Sequence, residues 1–492
     1  MDRAYTHLSV HMASQGEAFE GAFSHAGFRH PGPVLFYYLA ATSKALTPFM
    51  SEEDSYRISV LALNTLAVAL AAFLLAGLTP HRSYALLLMP LCFVLISPRA
   101  LFDYWNPYPV PAMACAYLLS LVYLAHGRLW FLPLTAVLGS FVAQCHISTP
   151  PFLAATFLYA LTFALLRARG SERGLGRSIA APAAATLVVS LLMWLGPLVD
   201  WWRYGAESNA GVIMRSFLEE HRTVSLAKSF AMVWHLAAKK LNLFFNFSPG
   251  VARLLPLALI LAVAGTSPRR GAFFHLRMLL LVSWLVTIWA LSRSFQPLAD
   301  YLITYFLALL VLACFLVLIA AIDLVARLLS RLARVKPAHC RLALCAIALA
   351  SVVFTAVRHP DPGTSQKRAS CELIRFADRF VNALNPVPGT LYTVTPATLE
   401  LRGFSVFFAL SMLEHGADFC FDDQWEHYVG RALTCSYRLA EPPPSASINV
   451  DLALVGESPG PRRGRKLQKH RARRSVQMDW VEQGEPRSFG VR

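Results

Sequence analysis

Ile58-Ser-Val-Leu-Ala-Leu-Asn-Thr-Leu-Ala-Val-Ala-Leu-Ala-Ala-Phe-Leu-Leu-Ala-Gly-Leu78 carries no charged side chain. As an α-helix this stretch is about 30 Å long, the thickness of a bilayer's hydrocarbon core. Nothing in it alternates with period two, so it does not read as a strand. It is the central part of a candidate membrane span at 55–78. Working outward, comparable apolar runs lie at 84–98, 107–125, 130–143, 150–166, 179–199, 251–266, 273–293, 301–324 and 341–357, which makes about ten spans.

Composition agrees with this reading. Of 492 residues, 56% are hydrophobic and 15% are charged. Disorder needs low hydrophobicity, and soluble domains sit nearer one quarter charged. The net charge of +16 could point to nucleic acid. In a chain this apolar, positive charge instead belongs to cytoplasmic loops and lipid headgroups, so no nucleic-acid partner is expected.

The loop charges orient the spans. One set of loops holds Arg82, Arg128, Arg167, Arg169, Arg173, Arg177, Arg269, Arg270, Arg277, Arg327, Arg331, Arg334, Lys336 and Arg341. The opposite short loops hold only Arg99 and Arg293. The first set is therefore read as cytoplasmic. Both chain termini are then extracytoplasmic, in a multi-pass protein of a bacterial inner or plasma membrane. The long 200–250 loop falls on the same outer side. Its aromatic and basic residues, among them Trp201, Trp202, Arg203, Trp234, Lys239 and Lys240, suggest interfacial helices.

The fold expected is an all-α polytopic membrane protein with a small extracytoplasmic C-terminal domain, α/β or mixed. Four regions follow: 1–54 as a first outer loop with an interfacial helix; 55–357 as the membrane domain; 358–440 as the small outer domain; and 441–492 as a Pro/Arg-rich tail. Helices are expected at 371–384 and 405–415. The tail contains the basic run Arg462–Arg474 and reads as disordered, with anionic headgroups as its natural contact. Cys371, Cys420 and Cys435 lie in this outer region, where an oxidising compartment permits a disulfide, and Cys420–Cys435 is the expected pair.

The polar residues able to do chemistry gather in the outer loops. Asp2 and Arg3 open the chain. Then comes Gly27-Phe-Arg-His-Pro-Gly-Pro33, whose prolines and glycine fix a turn, followed by the apolar Val34-Leu-Phe-Tyr-Tyr-Leu39. The next outer loop contains Asp103-Tyr-Trp-Asn106, and the third Gln144-Cys-His146. A carboxylate and an imidazole at the membrane edge can act as general acid or base. Each also has a plainer role: Asp103 could cap a helix or pair with Arg99, and His146 could bond a loop carbonyl.

The early Asp, the proline-rich turn and the Tyr37-Tyr38 helix resemble the type C glycosyltransferases. These are multi-spanning enzymes that take a sugar from a polyprenyl phosphate, and they include the protein mannosyltransferases and the lipid A aminoarabinose transferase. Trp105-Asn-Pro107 and Gln144-Cys-His146 resemble segments of bacterial members. The resemblance covers roughly residues 1–150 by motif and the remainder by topology. It implies that Asp2 and Asp103 are the catalytic acidic pair, one serving as general base. His30, Asn106, Gln144 and His146 would surround them, and Arg3, Arg29 and Arg203 would neutralise the lipid phosphate, with Arg293 a further outer-face cation. The chain departs from the family in two respects. The first family helix is apparently absent before Asp2, and the acidic pair there is Asp-Arg. Partners would be a polyprenyl-phosphate sugar, an acceptor of unassigned identity and the bilayer. No cofactor is assigned, and a divalent cation shared by Asp2 and Asp103 stays open.

The competing reading is a transporter or flippase for an amphiphilic, lipid-linked solute. Transporters carry ionisable residues or helix breaks near the midplane in paired halves. Here the mid-span positions are almost free of charge, and no internal repeat is visible.

Overall fold

The computed structural model describes residues 2–24, 28–79, 82–96, 98–169, 175–218, 224–245, 248–265, 271–293, 300–333, 377–382, 384–386, 391–396, 402–415, 417–421, 433, 447–455, 475–482 and 485–491. The chain divides into two compact units. One holds Met1–Ala18, Ala22–Arg29 and Asp361–Arg492, and the other holds Phe19–Gly21 and His30–Pro360. The expected first region, 1–54, is therefore not one piece, because its opening helix groups with the C-terminal region.

Along the chain, α1 is Asp2–Ser14, α2 Val34–Leu46, α3 Glu52–Leu78, α4 Arg82–Ile96, α5 Val110–Ala125, α6 Phe131–Cys145 and α7 Pro150–Arg169. There follow α8 Leu175–Met193, α9 Leu195–Tyr204, α10 Asn209–Leu218, α11 Leu226–Phe245, α12 Pro249–Ala252, α13 Leu255–Gly265, α14 Gly271–Ser292 and α15 Phe306–Ala333. Of these, α2 to α15 form the helical unit.

The start of α3 is fixed by its sequence. The Ser51 hydroxyl accepts from the Asp54 N–H at 3.2 Å. Glu52, Glu53 and Asp54 fill the first turn, where carboxylates complement the helix dipole. One face of α3 then buries Tyr56, Val60, Asn64, Ala67, Ala71 and Leu75. The other exposes large apolar side chains, with Leu66 69% and Phe73 71% accessible. Water would penalise that face, whereas lipid accepts it.

At the centre of the bundle, α5 is buried along every residue. Such a helix needs neighbours on all sides, and α3, α6, α7, α14 and α15 supply them. Its few polar groups bond across helices. The Tyr123 hydroxyl donates to the Leu74 carbonyl at 2.7 Å, Tyr117 donates to the Leu153 carbonyl at 2.8 Å, and Ser120 pairs with Thr135 at 2.9 Å. An apolar surround makes an unmade bond at these sites expensive.

Among the described residues, four helices are long and apolar enough to cross a membrane: Glu52–Leu78, Pro150–Arg169, Phe273–Ser292 and Phe306–Ser330. A fifth span arises if Ile179–Met193 and Leu195–Glu207, bent by 64° at their junction, are taken together. Several long apolar helices are compatible with a membrane-spanning protein. The other runs read as spans within the described residues fall on shorter apolar helices, at Ala85–Val94, Val110–Ala125, Phe131–Cys145 and Pro249–Ala264. The run at 341–357 lies outside the described residues.

In the second unit, α1 buries Tyr5, Leu8, Val10 and Met12, and the Tyr5 ring stacks on Phe23 at 5.5 Å. This helix packs against α16, Arg402–Glu414. Residues 377–382 are helical, and Asp378 accepts from the Ser411 hydroxyl of α16 at 2.7 Å. Five strands form one sheet in the order β2-β1-β3-β4-β5. They are β1 Leu391–Pro396, β2 Asp418–Phe421, β3 Ser447–Val455, β4 Ser475–Glu482 and β5 Glu485–Val491. β1 is parallel to β2 and β3, and β3-β4-β5 is antiparallel.

The reading of 441–492 as a disordered tail does not hold for these last three strands. The Pro/Arg-rich composition, averaged over the whole segment, masks two short period-two patterns: Ile448, Val450, Leu452 and Leu454, then Val476, Met478 and Trp480. Strand signals reside in alternation, and a bulk average discards it. The run Arg462–Arg474 lies outside the described residues. Cys420, on β2, is disulfide-bonded, and Cys371 and Cys435 lie outside the described residues.

Candidate functional site at the Gln144 end of the bundle

The site is built around the C-terminal end of α6. That helix stops where His146 turns extended, at φ −155° and ψ 124°. The end is closed locally: His146 N–H donates to the Val142 carbonyl and Thr149 N–H to the His146 carbonyl, and the Thr149 hydroxyl reaches the same two oxygens at 3.2 and 2.8 Å. A neighbouring end is more deeply disrupted. Pro197 lacks an N–H, so α8 cannot continue through it, and the Met193 carbonyl four residues earlier loses its partner. The chain bends there by 64°.

Gln144 repairs that break. Its Nε2 donates to the Met193 carbonyl at 2.6 Å, and its Oε1 accepts from Val34 N–H, at the start of α2, at 3.3 Å. The side chain is wholly buried. Two glycines make room for this arrangement. A Cβ on Gly32 would meet Gln144 Oε1 at 2.3 Å, and one on Gly196 would meet Pro33 Cγ at 3.2 Å. The Trp194 indole at the bend donates to the Ser140 hydroxyl of α6 at 3.0 Å.

His30 and His146 lie together, with ring centroids 4.7 Å apart, and both are buried. Ile147 N–H donates to His30 Nδ1 at 3.2 Å. Ser148 N–H donates to His146 Nδ1 at 3.3 Å, and the Ser148 hydroxyl lies 2.8 Å from the same nitrogen. With Nδ1 accepting in both rings, the proton of each neutral imidazole is assigned to Nε2. Burial pushes His146 down to about 4, so this pair is not two cations in contact. Asn106 joins from the preceding loop, donating to the Cys145 carbonyl at 2.6 Å.

Two residues absent from the sequence reading extend the layer. Asn209, at the start of α10, donates its side-chain amide to the His30 carbonyl at 3.1 Å. Its backbone N–H donates to Asp200 Oδ2 at 2.8 Å, and Asp200 is 2% accessible. A signal for Asp200 existed in the sequence, as a carboxylate directly between the apolar run 179–199 and Trp201-Trp202.

His30, Asn106, Gln144 and His146 are thus brought into one buried layer. Asp103 stands three residues before Asn106 and is half-exposed, with Oδ1 accepting from Trp105 N–H at 3.2 Å in an Asx turn. Arg203 is exposed, its guanidinium 5.0 Å above the Phe19 ring. Asp2 and Arg3 lie in the first turn of α1, in the other unit. Arg29 belongs to that unit as well, buried and donating to the Ser9 hydroxyl at 3.5 Å. Among the described residues no group of three or more His, Cys, Asp or Glu is arranged to hold a metal ion.

No protein-family model, curated protein or solved structure matches the chain.

The layer supplies neutral imidazoles, amides and a buried carboxylate beside the half-exposed Asp103. Such a set can orient a polar substrate and accept a proton. It does so at the end of a bundle whose flanks expose apolar side chains, where an amphiphile's headgroup would sit.

Proposed function

We propose that the protein is a membrane glycosyltransferase acting on a polyprenyl-phosphate sugar at its extracytoplasmic face. The observation that carries the reading is the buried layer of His30, Asn106, Gln144, His146, Asn209 and Asp200. It stands at the bundle end opposite the basic loops. The donor is amphiphilic in the same sense, with a polar sugar phosphate on an apolar chain. Its prenyl tail would lie along flanks that expose residues such as Leu187 and Leu192.

In this reaction the acceptor oxygen attacks the anomeric carbon while the bond to the phosphate oxygen breaks. A carboxylate removes the acceptor's proton, and the polyprenyl phosphate leaves with the bonding pair. Asp103 is the candidate base within the helical unit, because its partial exposure permits contact with solute. Asp2 carries the same candidacy from the family resemblance and is tested separately. His30 and His146, both buried, would fix the loop at 146–148 behind the sugar's site. Arg203 and Arg293, both exposed in this unit, are the candidate cations for the departing phosphate. Arg3 and Arg29 keep that role from the resemblance alone.

Sugar transfer from a radiolabelled polyprenyl-phosphate donor tests the proposal. Asp103→Asn and Asp2→Asn are each expected to slow transfer about 10²-fold or more if they act in proton transfer. Absence of transfer from any such donor by the parent protein removes the enzyme reading.

A second reading, a flippase for a lipid-linked solute, draws on the broken helix α8–α9. Discontinuous helices line the solute sites of many transporters. Donor-independent movement of a fluorescent polyprenyl-phosphate analogue across proteoliposomes would favour it.

A further inference from the structure

At the opposite end of the helical unit, three segments bring arginines and histidines together, and no carboxylate among the described residues is paired with them. His275, in the second turn of α14, is 2% accessible. Arg167, in the last turn of α7, places Nη2 3.5 Å from His275 Nε2, and the Tyr159 hydroxyl lies 3.0 Å from Nδ1. A guanidinium only donates, so Nε2 is the acceptor and Nδ1 carries the hydrogen toward Tyr159. His126, just after α5, sets its ring 4.9 Å from His275, edge to face.

Gly127, at φ +81°, turns the chain back, and a Cβ there would stand 3.5 Å from Arg167 Cβ. The turn therefore packs the residue just before Arg128 against the Arg167 side chain. Arg128 sits 4.9 Å above the Tyr123 ring, and both arginines are exposed. The ion pairs found among the described residues, Arg57 with Glu53 and with Asp54, lie elsewhere. Among the described residues, neither of these guanidiniums, one on the His275 imidazole and one on the Tyr123 ring, is paired with a carboxylate. Beside them Trp130 is 68% and Phe274 42% accessible. Exposed aromatics next to arginine mark the headgroup level of a bilayer.

We propose that Arg128, over the Tyr123 ring, and Arg167, on His275, bind the phosphate of an anionic lipid headgroup. Guanidinium forks match phosphate oxygens in geometry and charge. Trp130 and Phe274 lie among the acyl chains below it. The site is independent of the glycosyl-transfer reading and has its own readout.

Native mass spectrometry of the full chain, taken from micelles holding equal phosphatidylglycerol and phosphatidylcholine, is the test. The wild type is expected to retain phosphatidylglycerol in preference by about tenfold or more, and Arg128→Gln/Arg167→Gln to fall to near parity. Arg215→Gln/Arg253→Gln removes the same charge elsewhere and should keep the preference. If the double variant does not fold, Arg128→Gln alone, an exposed turn residue, should lose at least about half of it on a logarithmic scale. Inorganic phosphate is the second probe. Thermal protection by phosphate that depends on both arginines, without lipid preference, assigns the same phosphate chemistry to a soluble ester. Parity of the two lipids in the wild type with no phosphate effect overturns the site, as does an equal loss in the Arg215/Arg253 control.

Discussion

Gln144 Nε2 lies 2.6 Å from the Met193 carbonyl oxygen, the one that Pro197 deprives of its helical partner. A side chain on α6 thereby completes the backbone of α8, and its other end holds the first N–H of α2. One amide ties three helices at the end of the bundle where His30 and His146 meet. In an apolar surround each of these backbone groups would otherwise be costly to leave unpaired.

Gln144→Leu keeps much of the volume and removes both bonds. It should destabilise the protein by about 2–4 kcal/mol, the sum of two unsatisfied buried groups. Thermal unfolding in detergent, compared with Ser140→Ala nearby, measures the effect. An unchanged midpoint would show that the bend at Trp194 does not depend on this amide.

Gly32→Ala should act through the same contact, because its Cβ would fall 2.3 Å from Gln144 Oε1. The double variant with Gln144→Ala, which removes the Cγ, Cδ and Oε1 that the new Cβ would meet, should then lose less than the sum of the single losses, by about 1 kcal/mol or more. Strict additivity would mean that Gly32 is required for another reason.

Burial holds His146 near 4 in the folded protein, against about 6.5 unfolded. The unfolded chain therefore binds more protons between those values. The stabilisation is complete above about pH 6.5 and is lost as pH falls toward about 4, up to about 3 kcal/mol. His146→Gln should flatten that part of the stability profile. A variant whose stability falls as steeply as the parent's over this window would place the titration elsewhere.

Asp103→Asn preserves an acceptor for Trp105 N–H, so the loop should keep its turn and the melting temperature should stay within a few degrees. Under the proposed function, transfer nevertheless falls about 10²-fold. Asp200→Asn separates position from chemistry. It keeps a neutral acceptor for Asn209 N–H while removing the charge, and a loss of transfer with unchanged donor binding would bring Asp200 into the proton path.

The orientation expected from the basic loops is open to direct measurement. Single cysteines at 172–176 should be protected from an impermeant thiol reagent added outside, and those at 440–460 should react. Reversal of this pattern would invert the bundle and place the His30–His146 layer on the inner side.

The sequence by itself determined the helical character of the chain and the position of its apolar helices. Uninterrupted runs such as Ile58–Leu78 need only length and the absence of charge to be read, because a backbone in lipid must satisfy its own hydrogen bonds. It also brought out His30, Asn106, Gln144 and His146, since polar residues between apolar runs are conspicuous. Tertiary structure decided what those residues do. The role of Gln144 depends on a carbonyl 49 residues away and that of Asn209 on one 179 residues away, and no local pattern encodes such pairings. The His126–Arg167–His275 cluster was invisible for the same reason: its members come from three helices and meet only once α5, α7 and α14 pack. The strands at 447–455 and 475–491 show the complementary case. Their alternation was present locally, but a five-stranded sheet exists only where β1, from an earlier part of the chain, offers its edge to β3.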